Sequence, residues 1–153
     1  MKFICDDNLG KLAKYLRLMG FDTAYSATIG DAQLIAKMLK EERMVITRDR
    51  RLAEKIEAGK VVVVDSDSPE EQLRQVISKL DLQIDRGQFF SRCLVCNEMC
   101  QNITPEEIKG RVFPYILKTQ NQFRHCPKCD RIFWQGSHYK HMVAKLNEIL
   151  GGQ

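Results

Sequence analysis

Four cysteines stand in two knuckles, Cys93-x-x-Cys96 and Cys126-x-x-Cys129, with residues 97–125 between them. A Cys-x-x-Cys turn aims two thiolates at one ion, and two such turns supply the four soft ligands of a tetrahedral zinc. That ligand set is closed. It leaves no coordination position for a substrate, so the expected zinc is structural. The competing chemistry is a redox dithiol, which requires one Cys-x-x-Cys at a helix start rather than two matched copies. Cys5 lies in an apolar run and reads as a small buried hydrophobe. Cys100 is a spare thiol that could replace a knuckle ligand, although the paired spacing favours Cys93 and Cys96.

Aspartates carry a second chemistry. Asp6 and Asp7 close the run FICDD, and Asp31 follows Gly30. Asp49 ends Thr-Arg-Asp in VITRDRRLA, and Asp65 and Asp67 follow the valines of VVVVDSD. Crowded carboxylates repel and resist ionisation unless a cation neutralises them. Hard oxygen ligands select Mg²⁺ or Mn²⁺, and such an ion on phosphate oxygens activates water for in-line displacement. Aspartate is also a favoured helix N-cap, and Asp7, Asp31 and Asp49 each precede a helical pattern. Capping is therefore the structural role to weigh against metal binding at each. Asp22 falls at the opposite end of its strand and is expected outside the cluster.

These side chains need strand ends to position them. Lys2–Cys5, Thr23–Ser26, Met44–Thr47 and Val61–Val64 read as strands. The four consecutive valines suit a strand buried on both faces. Between the strands, Leu9, Leu12, Ala13 and Leu16, then Leu34, Ile35, Met38 and Leu39, then Leu52, Ala53 and Ile56 recur at helical spacing. Ser68-Pro69-Glu70-Glu71 is a capping box that opens a fourth helix, to about Leu80. Alternating βα units build an open parallel sheet with helices on both faces, and ligands of such sheets bind outside the carboxyl ends of the strands. The aspartates after the strands fall there.

Residues Asp81–Gln88 show no period and read as a linker between a domain over 1–87 and a metal module over 88–153. In that module Val112–Leu117 is the expected ribbon strand, and Ser137–Leu150 a terminal helix. Residues 1–87 hold 15 basic and 15 acidic side chains, while residues 88–153 hold nine against five, so the module carries the whole net charge of +4. A basic module beside a neutral domain suits a polyanion, with nucleic acid first. The 44% hydrophobic and 29% charged content is that of a soluble globular protein. No apolar run approaches the ~20 residues of a membrane span, and MKFICDDNLG is no signal peptide. Six cysteines in such a chain point to a reducing cytoplasm and metal binding rather than disulfides.

The segments FICDDNLGKLAKYLRLMGFDTAYS, VITRDRRLA, RCLVCN and CPKCDRIFWQGSHYKHM resemble the Mut-seven C-terminal RNase family across nearly the whole chain. The resemblance implies a PIN-like nuclease domain joined to a zinc ribbon, with cleavage of RNA by acid-bound Mg²⁺ or Mn²⁺. Carried over by position, Asp6 matches the first acid, Asp49 the Thr-x-Asp acid and Asp31 the second acid, where PIN domains often have Glu. The fourth acid is Asp65 or Asp67. Thr47 is either a holder of carboxylate or water or simply a strand residue. Lys11, Lys14, Arg17, Arg48, Arg50 and Arg51, with Arg124, Lys128, Arg131 and Trp134 of the ribbon, are the candidate RNA contacts. Two other classes compete. A non-catalytic RNA-binding or scaffold protein would use the acids as caps. A phosphoacceptor receiver would need a lysine after its last strand, which VVVVDSDSP does not offer.

Overall fold

The computed structural model describes residues 1–151. The first half forms a four-stranded parallel sheet from β1 (Lys2–Cys5), β2 (Asp22–Tyr25), β3 (Met44–Thr47) and β4 (Val61–Val63), in the order β2-β1-β3-β4. Helices α1 (Gly10–Leu18), α2 (Asp31–Glu41), α3 (Arg50–Glu54) and α4 (Pro69–Leu80) connect and follow the strands. This is the expected α/β sheet flanked by helices.

Side-chain alternation sorts the helices onto two faces. Phe3, Cys5, Ile46 and Val62 point toward α1 and α4, where Leu12, Leu16, Leu73 and Val76 are buried. Ile4, Ala24 and Val45 point the other way, toward Leu34 and Met38 of α2 and Leu52 and Ile56 around α3. Burial pushes the Cys5 thiol up to about 12, so it packs as an apolar residue. Ser68 caps α4 by accepting from the Glu71 N–H at 3.3 Å, with Pro69 in the first turn, as its sequence demands.

The remainder builds an antiparallel sheet from β5 (Gln101–Ile103), β6 (Phe123–His125) and β7 (Ile132–Trp134), in that order. The expectation of a strand over Val112–Leu117 is wrong. Phe113 is extended and Pro114 opens the short helix α5 (Pro114–Thr119), because proline supplies a helical φ at a position that needs no N–H donor. The chain ends in α6 (Ser137–Leu150), whose Leu146 and Ile149 join the α1–α4 core. Residues 81–88 are not a free linker either: Leu82 is buried in that core and Ile84 packs against it.

Hydrogen bonds at the amino end of the first sheet join the two halves. Arg17, buried on α1, donates from Nη1 to the carbonyls of Leu94 and Val95 at 3.0 and 3.1 Å, and from Nε to the Thr23 carbonyl at 2.9 Å. Asn97 accepts the Thr23 N–H at 2.9 Å and donates to Asp22 Oδ1 at 2.7 Å. Arg43 donates to the same Asp22 oxygen at 2.8 Å.

Candidate functional site

Strand order fixes where a ligand crevice can lie. The chain passes from β1 to β2 on one side, then crosses to β3 on the other, so the strand order reverses between the parallel β1 and β3. The carboxyl ends of the strands flanking such a reversal splay their loops apart and leave a crevice. Asp6 follows β1 there, with its N–H still on the Ile46 carbonyl at 3.0 Å. Thr47 is the last residue of β3 and fully buried.

One hydroxyl ties this crevice together. Thr47 Oγ1 donates to Asp6 Oδ2 at 2.7 Å and accepts the Asp49 N–H at 2.9 Å. Asp6 is 8% exposed, and its Oδ1 accepts the Asp7 N–H at 2.8 Å. Thr47 therefore holds a carboxylate, which separates the two roles open to it in the sequence. Asp49 caps α3: its Oδ1 accepts the N–H groups of Arg51 and Leu52 at 2.9 and 3.3 Å. Tyr25, at the end of β2, donates its hydroxyl to the Asp7 carbonyl at 2.8 Å and closes one flank of the edge.

The other aspartates are engaged elsewhere. Asp31 sits in the first turn of α2, with its carboxylate 3.9 Å from Lys55 Nζ just beyond α3. Asp65 takes both ends of the Gln75 amide, whose Oε1 accepts the Asp65 N–H at 3.0 Å while its Nε2 donates to Asp65 Oδ1 at 2.5 Å. The Gln75 hydrogen bond, with the charges of Lys79 and Arg50, holds the Asp65 carboxyl below its ordinary range. Asp67 is exposed. Asp22 lies at the opposite end of its strand, in the junction with the first knuckle. Among the described residues, no three acids bring carboxylate oxygens within 4.8 Å of one another, and Asp6 and Asp49 are joined through Thr47.

The cysteines do converge. Cys93, Cys96, Cys126 and Cys129 place their sulfurs within 4.8 Å of one another, with Cys93–Cys129 at 3.6 Å and Cys96–Cys126 at 3.2 Å. A tetrahedral zinc with Zn–S near ~2.3 Å sets its sulfurs about 3.8 Å apart, so the four donors fit the ion. The two knuckles repeat one backbone design. Cys93 N–H meets the Glu98 carbonyl and Asn97 N–H the Cys93 carbonyl; Cys126 N–H meets the Arg131 carbonyl and Asp130 N–H the Cys126 carbonyl. Asn97 and Asp130 hold the matching left-handed positions, at φ 73° and 63°, which short polar side chains tolerate best.

Burial pushes the Cys93 thiol up to about 12. Burial also raises Cys129, but the Arg131 side chain and backbone outweigh it and draw that thiol down to about 6. Cys100 is buried beside Cys93 and Cys126, outside the ligand quartet, and burial raises it to about 11.

The candidate RNA contacts divide between the two halves. Arg48, Arg50 and Arg51 are exposed beside the Asp6–Asp49 edge. Arg124 is half-buried on β6, Lys128 is exposed on the second knuckle, and Arg131 lies against the Cys129 sulfur. Trp134 is half-buried, tilted against Phe123 with ring centres 6.3 Å apart, and lines a groove of 820 Å³ between the ribbon, α5 and α6, with Lys14 of α1 at its margin. The partnerships of Asp22, Arg17, Asn97 and Gln75 are not foreseeable from the sequence. Their contacts span 6 to 78 residues, and no local pattern marks them. No helix among the described residues is long and apolar enough to cross a membrane.

A family model described as the Mut7-C RNAse domain matches residues 1–146. The human protein described as "Exonuclease mut-7 homolog" is 28% identical over 101 residues, which cover 63% of this chain and 12% of that protein. No solved structure matches.

Proposed function

The chain belongs to the Mut7-C RNAse domain family, and on that premise we propose that it is a metal-dependent ribonuclease of PIN-like design. The observation that carries the reading is the Asp6–Thr47–Asp49 linkage at the reversal of the strand order. Family membership supplies the nuclease activity, and this linkage is where the chain offers acids for it. The human relative is described as an exonuclease, but the chain spans only 12% of that protein, so its polarity and substrates are not carried over.

The donor set suits a hard cation, since it consists of carboxylates on neighbouring strand ends. Asp6 and Asp49 would hold Mg²⁺ or Mn²⁺, and Asp31, in the first turn of α2, and Asp65, after β4, would add negative charge. When bound, the ion supplies Lewis acidity toward a phosphate and its attacking water. Thr47 donates to Asp6 Oδ2 and fixes the orientation of that carboxylate. Arg48, Arg50 and Arg51 would meet the RNA backbone, which positions the strand without reading its sequence. The zinc holds the ribbon, whose Arg124, Lys128 and Trp134 extend the RNA surface in the cytoplasm.

A second reading has one observation in its favour: Asp49 is a true helix cap, as a non-catalytic RNA-binding or scaffold protein would also need. Asparagine caps as well as aspartate but lacks the charge. The test is cleavage of labelled single-stranded and hairpin RNA with and without added Mg²⁺ or Mn²⁺, by wild type, Asp6→Asn and Asp49→Asn, beside melting curves. Lost cleavage at unchanged melting temperature supports the nuclease. RNA binding without cleavage by wild type supports the scaffold. Full cleavage by both variants removes the site.

A further inference from the structure

The 820 Å³ groove beside the ribbon does not stand alone. A second cavity of 510 Å³ lies over the start of α1, against Gly10, Lys11 and Tyr25. The two share Lys14, Leu94 and Val95, so they form one continuous track. At its near end is Tyr25, whose hydroxyl rests on the Asp7 carbonyl beside Asp6. Its far end is walled by Trp134, by Tyr139 and by Tyr115, which is 72% exposed.

Charge along this track has one sign. Lys11, Lys14, Arg17 and Lys140 line these two cavities, and among the described residues no aspartate or glutamate does. Arg17 is spent on backbone carbonyls, which leaves Lys11 and Lys14, both exposed, to face an occupant. Cations without carboxylates select a polyanion, and solvent-facing aromatics select flat apolar groups. Unpaired bases joined by phosphates offer both, whereas a duplex hides its base faces in the stack.

We propose that this track holds an unpaired stretch of RNA running from the Asp6–Asp49 edge to the ribbon. Its phosphates lie on Lys11 and Lys14, and its bases lie against Tyr115 and Trp134. The inference deepens the nuclease reading and rests on it for the identity of the near end. It also makes the ribbon a selector for strandedness, because single strands bridge both halves and blunt duplexes do not.

Trp134 is the only tryptophan in the chain, so its fluorescence reports on the far end of the track alone. The experiment titrates the zinc-loaded Asp6→Asn protein, without added Mg²⁺ or Mn²⁺, with oligouridylates of about 4 to about 16 nucleotides, the range of single-strand sites on small folds. Saturable quenching that weakens with salt is expected, with no quenching by a blunt RNA duplex. Tyr115→Ala and Lys14→Glu, both at exposed positions, should each raise Kd about 5- to 100-fold. Leu39→Ala, an exposed apolar side chain on α2, should leave Kd unchanged. Silent fluorescence, or wild-type Kd in both the Tyr115 and Lys14 variants, overturns the track. The two readings fail separately. If the oligomers bind as described but wild type cleaves no RNA, the nuclease reading falls and the track stands. If wild type cleaves and both track variants bind and cleave as it does, only the track falls.

Discussion

Thr47 has one hydroxyl proton, and it is committed to Asp6 while the oxygen accepts the Asp49 N–H. A fully buried side chain thus joins two acids that lie 43 positions apart in sequence. Thr47→Val keeps the shape and removes both bonds, leaving a nearly buried carboxylate oxygen without this donor. Such orphaning costs about 1–3 kcal/mol, and groups that orient a metal ligand typically matter 10- to 100-fold in activity. The expected outcome is a lower urea midpoint together with a fall in RNA cleavage of about 10- to 100-fold, both largely restored in Thr47→Ser. Cleavage by the valine variant at the wild-type rate would make Thr47 a strand residue and nothing more. Sequence alone marks Asp6, Thr47 and Asp49 because each follows or ends an apolar run. It does not show the hydroxyl between them, since that bond depends on β1 pairing with β3 across an intervening strand and two helices.

Between elements, the decisive contacts are polar and lie at the amino end of the first sheet. Gly20 ends α1 at φ +94°, and a Cβ there would fall 2.7 Å from Gln88 Cβ and 2.8 Å from its carbonyl oxygen. The segment leading into the first knuckle crosses α1 at that point, with Arg92 Nε donating to the Gly20 carbonyl at 3.0 Å. Gly20→Ala should therefore cost about 2–3 kcal/mol in chemical unfolding, from backbone strain plus a forced shift of that segment. Asp22 offers a pH handle on the same junction. Burial raises its carboxyl, but the hydrogen bonds from Arg43 and Asn97 outweigh it, and the folded-state pKa lies below the ordinary value. A depressed carboxylate contributes stability above its unfolded pKa, near ~3.9, and loses it as pH falls through the folded pKa. The stability gap between wild type and Asp22→Asn should thus be widest at neutral pH and close on acidification below about 4; a gap independent of pH would dismiss the ionic part of the junction. Most elements of the first half are legible in the sequence because they carry an apolar period and distinct stops, and the three-residue β4 because it lies in a run of four valines. The ribbon is not, because its strands have three residues each, too few for any period, and an apolar run opened by Pro114 forms a helix.

At the scale of the molecule, the basic ribbon and the parallel sheet are not independent bodies packed by chance. Leu146 and Ile149 of α6 lie in the core of α1 and α4, Lys145 Nζ is 3.7 Å from Glu70, and the first knuckle hangs on Arg17 and Asp22. The ribbon's own interior is small: Cys93, Cys100 and Cys126 form a buried cluster with Phe133 against it, and Phe90, Ile108 and Phe123 are the other buried apolar side chains over 88–134. So small an interior offsets little chain entropy, and metal binding is expected to supply the difference. Zinc should appear at one per chain by elemental analysis, and its removal by a chelator should act in a graded way. Amide exchange should rise first across 89–134, where the knuckles order the short strands. It should rise less in 137–150, whose buried side chains are held by α4 rather than by the metal, and least in β1–β4. Several kcal/mol of metal-coupled stability, at about 2–4 °C per kcal/mol for a chain of this size, sets a drop in Tm of more than about 8 °C. Unchanged exchange over 89–134 after the metal is stripped would mean that the cysteines hold the ribbon by packing alone. Equal loosening of β1–β4 would instead mean that the ribbon and the sheet fold as one cooperative unit, with the zinc supporting the acidic edge as well as the knuckles.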